Sequence, residues 1–167
     1  LFSFKNSIKK IIAITIGTSL TIASFSAAAD ESFTKRLVGK AMDLVGVKYR
    51  FGGTSPETGL DCSGYVQYVF KSAGVNLPRV SPEMGRTGES VNTGSMKPGD
   101  LVFFNTRGFA NSHVGIYLGN SMFIHSPRTG RTVSVESMDI SYWKTRFTGA
   151  RRIENPNSFT DNAPKGM

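Results

Sequence analysis

Residues 113–125, HVGIYLGNSMFIH, form the most regular local pattern in the chain. Aliphatic side chains at positions 114, 116 and 118 alternate with His, Gly and Tyr, which is the period of a strand with one face in the core. Gly119 and Asn120 follow as turn residues, and a second apolar run occupies positions 122–124. The segment therefore predicts a β-hairpin within an antiparallel sheet.

The hairpin carries both histidines of the chain, His113 and His125, and its register decides whether they meet. If Tyr117 pairs with Ser121 around a three-residue loop, His113 lies directly opposite His125 on the face away from the aliphatic side chains. Opposed residues have Cβ atoms about 4.5–5.5 Å apart, so the two imidazoles can share a hydrogen bond. A two-residue loop would place them on opposite faces, because a shift of one residue reverses the side-chain direction.

Patterns on either side of the hairpin indicate an α+β fold. A helix is predicted over residues 33–45 and a second one from Asp61 or Cys62 to Ala73, each followed by a glycine. Residues 54–60 predict a loop, and residues 77–99 predict a long surface connection with one helical turn near 81–86. Strands are predicted at 101–104, 113–118, 122–126, 132–135 and 147–153. Helices that precede a run of short strands are typical of α+β domains.

Cys62 is the only cysteine of the chain and lies at the predicted start of the second helix. The positive end of the helix dipole and the free backbone N–H groups there favour the thiolate, so we expect a lowered pKa and a nucleophilic sulfur. The same N–H groups can stabilise an oxyanion. With His113 as the base and His125 as the residue that orients His113, the three side chains form the set that thiol catalysis requires.

Two other interpretations fit the same residues. A single cysteine is often a buried, unreactive side chain, and a strand histidine is often a structural one. Cys62, His113 and His125 are also residue types that bind zinc, although the closely spaced ligand pair typical of such sites is missing. We predict no metal and no cofactor.

The N-terminal segment, residues 1–29, has the layout of a secretory signal peptide. Lysines at positions 5, 9 and 10 precede an apolar run that begins at Ile11, and three alanines end at Ala29. Cleavage after Ala29 would leave a catalytic domain over residues 30–153 and a tail at 154–167, whose composition predicts disorder. A lipid anchor would need a cysteine at the cleavage point, and the only cysteine of the chain is Cys62. We therefore expect an exported protein, periplasmic or secreted, that is not lipid-anchored and is not inserted in the membrane after cleavage.

The chain is basic, with a formal net charge of +8 at pH 7. The charges are scattered and lack the stripe of Lys, Arg and aromatic residues that is typical of nucleic-acid binding, so we expect no nucleic-acid partner. An anionic polymer outside the cytoplasm, such as a bacterial cell wall, fits the export signal better.

Five motifs resemble the NlpC/P60 cysteine peptidases of bacterial cell walls, in particular the single-domain murein endopeptidases of Gram-negative bacteria. They are YRFGG at 49–53, LDCSGYV at 60–66, PGDLVFF at 98–104, HVGIYLG at 113–119 and FIH at 123–125, in the order that the family has. The resemblance implies a papain-like α+β fold, with N-terminal helices packed on an antiparallel sheet of about five to six strands. It also implies Cys62 as nucleophile, His113 as base, His125 as the third polar residue and a Tyr49 hydroxyl near the thiol.

The resemblance further implies that the substrate is peptidoglycan, cut at an amide bond of the stem peptide or of the cross-link between stems. Asp61, Ser63 and Arg79 are candidate substrate-binding residues, and Arg107 and Arg128 are further candidates for contact with substrate carboxylates. Helix capping explains Asp61 or Ser63 equally well. Two alternative functions stay open: a wall-binding domain without activity, and an amide acyltransferase or amidase that uses the same thiol. An unknown regulator is a further expected partner.

Overall fold

The computed structural model describes residues 12–156, with side chains described from residue 27 onward. Residues 33–156 form one compact unit, and residues 12–32, the first part of a long helix, belong to a separate one. Within the described residues, no helix is both long enough and apolar enough to cross a membrane. Residues 12–29 of the predicted signal segment are helical, and their cleavage stays a prediction. Most of the predicted tail lies outside the described residues, although Asn155 near its start is buried.

The described residues contain one short 3₁₀ helix, Thr93–Ser95, and four α-helices. Their bounds are α1 (Ile12–Asp43), α2 (Cys62–Ser72), α3 (Ser81–Met84) and α4 (Ser141–Lys144). The helix predicted over 33–45 corresponds to the last part of α1, which ends two residues before the predicted limit. Helix α2 ends one residue before its predicted limit. The helical turn predicted near 81–86 is α3. By contrast, α4 has no counterpart in the prediction, because one turn is too short to produce a periodic pattern.

The strands begin after α1, and six of those described form one antiparallel sheet. Their bounds are β1 (Thr54–Ser55), β2 (Gly59–Leu60), β3 (Glu89–Val91), β4 (Leu101–Phe104), β5 (His113–Gly119), β6 (Met122–His125), β7 (Ser134–Ser137) and β8 (Phe147–Arg152). The sheet order is β3-β8-β4-β5-β6-β7, and β1 and β2 form a small separate hairpin. The α+β class and the sheet size are confirmed. Strands β1, β2 and β3 lie in segments predicted as loops, because they are only two or three residues long.

The turn of the β5–β6 hairpin differs from the predicted three-residue loop. Asn120 and Ser121 form a two-residue turn with positive φ angles of 50° and 58°. The register then shifts by one residue between Tyr117 and Gly119. This β-bulge adds one residue to β5 and so restores the face that a two-residue loop alone would have reversed.

The register also changes which residue lies opposite His125. Because Ile116 pairs with Ile124, the next position along the ladder brings Gly115 opposite His125, and His113 becomes the diagonal neighbour. A Cβ on Gly115 would lie 3.2 Å from the Cβ of His125 and 2.9 Å from the carbonyl oxygen of Ile124. The absent side chain at Gly115 leaves space for the two imidazoles to meet. The predicted direct opposition of His113 and His125 is therefore wrong, although they do share a face.

The two faces of the sheet carry different cores. One face packs against α1 and α2 and is largely aliphatic, with Leu37 and Val66 among its buried residues. The other face carries a smaller cluster rich in aromatic residues, which includes Phe104, Phe123 and Trp143. Both histidine rings contact Trp143, with centroid distances of 5.6 and 5.0 Å. The histidines thus lie on the aromatic face, away from the aliphatic one, as predicted.

The start of α2, where Cys62 lies, is held by the carboxylate of Asp61. It accepts hydrogen bonds from the backbone N–H of Gly64 at 2.7 Å, as the helix cap, and from that of Gly52 at 3.0 Å. Arg79 donates to both carboxylate oxygens, at 3.0 and 2.7 Å. One buried side chain therefore joins the helix start to the glycine-rich turn before it and to the segment before α3.

We expect Asp61→Ala to lower the free energy of unfolding by about 2–4 kcal/mol, because it removes a helix cap and leaves the guanidinium of Arg79 without its carboxylate. Asp61→Asn keeps a capping oxygen and should lose less. Urea unfolding followed by circular dichroism measures both variants against the wild type. Equal losses in the two variants would mean that the negative charge at this position does not contribute to stability.

Candidate active site

Two adjoining clefts meet at the start of α2. The first has a volume of about 520 Å³, and its walls include Cys62, His113 and Glu136. The second has a volume of about 510 Å³. Tyr49, Cys62 and Arg107 line both clefts. Cys62 therefore borders both clefts, which together could hold an extended substrate on either side of it.

Cys62 is the first residue of α2 and is partly buried. Burial raises the pKa of its thiol, and the negative charge of Asp61 raises it further. Hydrogen bonds from the backbone N–H groups of Val114 and Ser63, together with the charge of Arg107, oppose the shift without reversing it. The expected lowering of this pKa is therefore wrong, because desolvation outweighs the helix terminus. At neutral pH Cys62 is a protonated thiol that needs a base.

A line of three hydrogen-bonded side chains ends at the first cleft. Nε2 of His113 lies 2.7 Å from Nδ1 of His125, and Nε2 of His125 lies 3.3 Å from Oε1 of Glu136. The two imidazole planes are nearly perpendicular, at 89°. Both histidines are buried, with 4% and 0% of their surface exposed. At the other end of the line, Nε1–H of Trp143 donates a hydrogen bond to Oε2 of Glu136 at 2.5 Å.

The three titratable groups of this line differ in charge at neutral pH. The hydrogen bond with His125, aided by the one from Trp143, lowers the pKa of Glu136 to about 2, although burial acts in the opposite direction. Burial lowers the pKa of His125, against the carboxylate of Glu136. Burial also lowers the pKa of His113 well below its ordinary value, and the charges of His125 and Arg107 lower it further. Glu136 is thus ionised while both imidazoles are neutral.

These charges determine which ring nitrogens carry protons. An ionised carboxylate can only accept a hydrogen bond, so Nε2 of His125 bears the proton that it donates to Glu136. Nδ1 of the neutral His125 is then an acceptor, and Nε2 of His113 donates to it. The remaining nitrogen, Nδ1 of His113, is left unprotonated. The line therefore supplies a base from a residue that also lines the cleft of Cys62.

The sequence analysis missed Glu136 and Trp143. Glu136 lies on β7, paired with Phe123 of β6, and the predicted strand stopped one residue before it. Trp143 lies on α4, the helical turn that the prediction lacked. One available signal was the single tryptophan, because a buried indole N–H needs an acceptor, and two acidic residues, Glu136 and Asp139, precede it closely in sequence.

Tyr49 lies where the two clefts join. Its backbone N–H donates to the carbonyl of Arg131 at 2.9 Å. Burial raises the pKa of its hydroxyl, and Cys62 raises it further once the thiol has ionised, whereas Arg107 opposes the shift through its charge and a hydrogen bond. The hydroxyl is therefore a hydrogen-bond donor at neutral pH. Tyr49 lines the same cleft as Cys62, and its action on the reacting group stays a prediction.

The three residues predicted to bind substrate form a network with one another. Arg79 donates to Asp61 and, at 2.8 Å, to the hydroxyl of Ser63. It also reaches the carbonyl oxygen of Gly53 at 3.4 Å. These contacts give Asp61, Ser63 and Arg79 a structural role at the start of α2. All three line the second cleft, and their contact with substrate stays a prediction. Arg107 lines both clefts, and Arg128 lines the first.

No group of three or more His, Cys, Asp or Glu side chains in the described part of the chain has the arrangement of a metal site. Nε2 of His113 and both nitrogens of His125 are already hydrogen-bonded. The donor atoms that a zinc site would use are thus mostly engaged in the line that ends at Glu136.

Comparison with known proteins identifies relatives. Murein DD-endopeptidase MepH of Escherichia coli K12 is 39% identical over 151 residues, which cover 88% of this chain and 56% of MepH. Murein DD-endopeptidase MepS/Murein LD-carboxypeptidase of the same strain is 37% identical over 160 residues, which cover 90% of this chain and 84% of the relative. Gamma-DL-glutamyl hydrolase of Bacillus subtilis 168 is 44% identical over 121 residues, 71% of this chain and 29% of the hydrolase. The chain spans less than two thirds of the first and third of these relatives.

Solved structures and a family profile agree with these relatives. An NlpC/P60 family protein from Bacillus cereus superposes with a TM-score of 0.68 at 33% identity, over 71% of this chain and 39% of that one. The peptidoglycan hydrolase RipB from Mycobacterium tuberculosis superposes with a TM-score of 0.65 at 29% identity, over 75% of this chain and 67% of that one. The profile of the NlpC/P60 family matches residues 46–152, which include Tyr49, Cys62 and both histidines. The chain belongs to the NlpC/P60 family.

Proposed function

We propose that this protein is an exported peptidoglycan endopeptidase that hydrolyses an amide bond of the stem peptide or of the cross-link, with Cys62 as nucleophile and His113 as base. The observation that carries the proposal is the line from Glu136 through His125 to His113, which ends at the same cleft as the thiol. Relatives named as murein endopeptidases support the choice of peptidoglycan. The charged and apolar pattern of the N-terminal segment supports export.

The reaction begins with a neutral thiol and a neutral imidazole. As the sulfur of Cys62 attacks the carbonyl carbon of the scissile amide, its proton moves to Nδ1 of His113, and the carbonyl electron pair moves to the oxygen. The carbon–nitrogen bond then breaks, and the leaving amine takes the proton from His113. A thioester remains on Cys62.

Water completes the cycle through the same base. It attacks the thioester carbon while giving a proton to His113, and the new tetrahedral intermediate expels the sulfur. The sulfur regains a proton from His113, and the product leaves as a carboxylic acid. In both halves of the reaction, a hydroxyl donor such as Tyr49 and the backbone N–H groups at the start of α2 can stabilise the negative charge on the oxygen.

His125 and Glu136 act through His113 as positioning residues. The imidazolium that forms on His113 is costly in a buried site, as the lowered pKa of this ring indicates. The hydrogen bond to His125 and the negative charge of Glu136 offset part of that cost, and they also keep the ring in the tautomer with a free Nδ1.

A second candidate substrate is a γ-glutamyl amide. The relative from Bacillus subtilis is named as a gamma-DL-glutamyl hydrolase, and it shares 44% identity with this chain over the matched region. Both substrates call for the same thiol chemistry, so the masses of the products are the observation that separates them.

The nucleophile and the base can be tested with purified protein that starts at Asp30. Cys62→Ala and His113→Ala are each expected to reduce the release of muropeptides from purified peptidoglycan by about a thousandfold or more. The first change removes the attacking sulfur, and the second removes the base that accepts its proton. Mass spectrometry of the products identifies the bond. Lys71→Ala, an exposed change on the same helix as Cys62, serves as the control. Full activity in Cys62→Ala would contradict the proposal, and sacculus binding without products would favour a binding domain.

The role of Glu136 can be tested through pH dependence. Activity requires neutral His113, whose pKa lies below its ordinary value of 6.5, so the acid limb of kcat/KM should lie below pH 6.5 in the wild type. The negative charge of Glu136 raises the pKa of both histidines, while Arg107 and Arg131 lower those of His113 and His125 respectively. Glu136→Gln should therefore move the acid limb to still lower pH and reduce kcat by about tenfold or more.

The matched control for this experiment is Glu83→Gln, which removes an exposed carboxylate on α3. It should leave both the acid limb and kcat unchanged. An unmoved acid limb in Glu136→Gln would mean that the carboxylate does not act on the base. A loss of activity with no shift, accompanied by a lower unfolding midpoint, would assign Glu136 a purely structural role.

A further inference from the structure

Three exposed arginines stand along the first cleft, beside the proposed nucleophile. Arg107 precedes β5 in the chain, and Arg128 and Arg131 lie in the connection between β6 and β7. We call these three residues the arginine wall. Two of them come from a segment of only six residues after β6 ends. Nothing in the proposed reaction steps uses them.

The arginine wall is built on an ordered backbone. Ser126, fully buried, donates from its hydroxyl to the carbonyl of Leu60 at 2.7 Å, which ties the start of the connection to the segment before α2. The backbone N–H of Arg131 donates to the carbonyl of Arg128 at 3.0 Å, and the carbonyl of Arg131 accepts from Tyr49 at 2.9 Å. The positions of Arg128 and Arg131 relative to the active site are thus set by main-chain hydrogen bonds.

The charges of the arginine wall are poorly compensated within the described residues. The carboxylate nearest to Arg131 is that of Glu136, 3.9 Å away, and that carboxylate already accepts from His125 and Trp143. The guanidinium of Arg107 lies over the ring of Phe51, at 5.4 Å from its centroid, and no described carboxylate forms an ion pair with it or with Arg128.

Arg79, in the second cleft, provides the contrast. Its guanidinium donates to Asp61, Ser63 and the carbonyl of Gly53, so its donors are used within the protein. The groove therefore has one end where an arginine is neutralised and another where several are available. An anionic group of the substrate would find arginine donors in the first cleft at Arg128 and Arg131, and also at Arg107, which lines both clefts.

We propose that the arginine wall binds a free carboxylate of the substrate and thereby makes the enzyme selective for peptides that carry one close to the scissile bond. The proposal rests on the peptidase function proposed above and names its substrate class. Guanidinium groups match carboxylates geometrically, because each can donate two parallel N–H bonds. A wall beside Cys62 and His113 would hold that carboxylate within a residue or so of the bond that breaks. Peptide stems with amidated carboxylates would lack the contact.

The test compares two substrates and three proteins. The substrates are soluble cross-linked muropeptide dimers with free carboxylates and the same dimers with those carboxylates converted to amides. The proteins are the wild type, the double variant Arg128→Gln/Arg131→Gln, and the control Lys71→Gln/Arg86→Gln. The control removes two exposed charges that do not line either cleft.

We expect the double variant to lose about tenfold in kcat/KM on the free dimers, mostly through a higher KM, because two exposed ion pairs contribute modestly to binding. The wild type should cleave the amidated dimers about tenfold less efficiently than the free ones, whereas the double variant should cleave both with the same kcat/KM. This ratio between substrates is the readout, because any effect of Arg131 on Glu136 acts on both substrates alike. The control should behave as the wild type on both. Equal activity of the wild type and the double variant on free dimers would overturn the proposal.

A binding measurement separates this proposal from the peptidase function. Cys62→Ala protein, with and without the two arginine changes, is titrated with both dimers by calorimetry. Tighter binding of the free dimers that disappears in the Arg128→Gln/Arg131→Gln background supports the arginine wall, even if the wild type hydrolyses neither dimer. If the wild type hydrolyses free and amidated dimers equally well, the result supports the peptidase function and refutes the carboxylate contact.

Discussion

The ionised carboxylate of Glu136 is the constraint on which the rest of the proposed active site depends. As an acceptor only, it draws the proton of His125 to Nε2, and that choice fixes the proton of His113 on Nε2 as well. A neutral acid at this position could donate instead and would permit the opposite tautomers, with a protonated Nδ1 on His113. The sheet supplies this constraint through the pairing of β7 with β6, and Trp143 secures it from the other side.

The proposed nucleophile and the proposed base come from structurally different parts of the fold. Cys62 lies on a helix that packs against the aliphatic face of the sheet, whereas the histidines project into the aromatic cluster on the other face. Different contacts hold the side chains of each part in position. A capped helix start, held by Asp61 and Arg79, positions the thiol. A bulged hairpin, with an absent side chain at Gly115, positions the imidazoles.

Sequence reasoning was reliable where a local pattern determines the structure. The amphipathic stripe of α2 and the alternation along β5 could be predicted, because helix and strand periods are properties of neighbouring residues. The helix cap was left open between Asp61 and Ser63, and the structure has Asp61 there. The pairing of the two histidines was predicted through the wrong register. The bulge after Tyr117 depends on how the whole hairpin packs and leaves no signature in the alternation of apolar residues.

Glu136 and Trp143 were missed because their roles arise from contacts across β7 and α4. The direction of the Cys62 pKa was wrong for a related reason: a helix start is visible in the sequence, whereas the depth at which it is buried is not.

The raised pKa of Cys62 has a consequence for the chemical durability of the protein. Peroxides and disulfides react with thiolates far faster than with thiols, so a sulfur that keeps its proton until a substrate carbonyl arrives is a poor target for them. This matters for a chain whose single cysteine has no second cysteine to form an intramolecular disulfide. Sulfenic acid or a mixed disulfide at this position would end turnover until a reductant restored the thiol. Burial of the sulfur slows the formation of the nucleophile. In the exported protein proposed above, it would also protect the thiol outside the reducing cytoplasm.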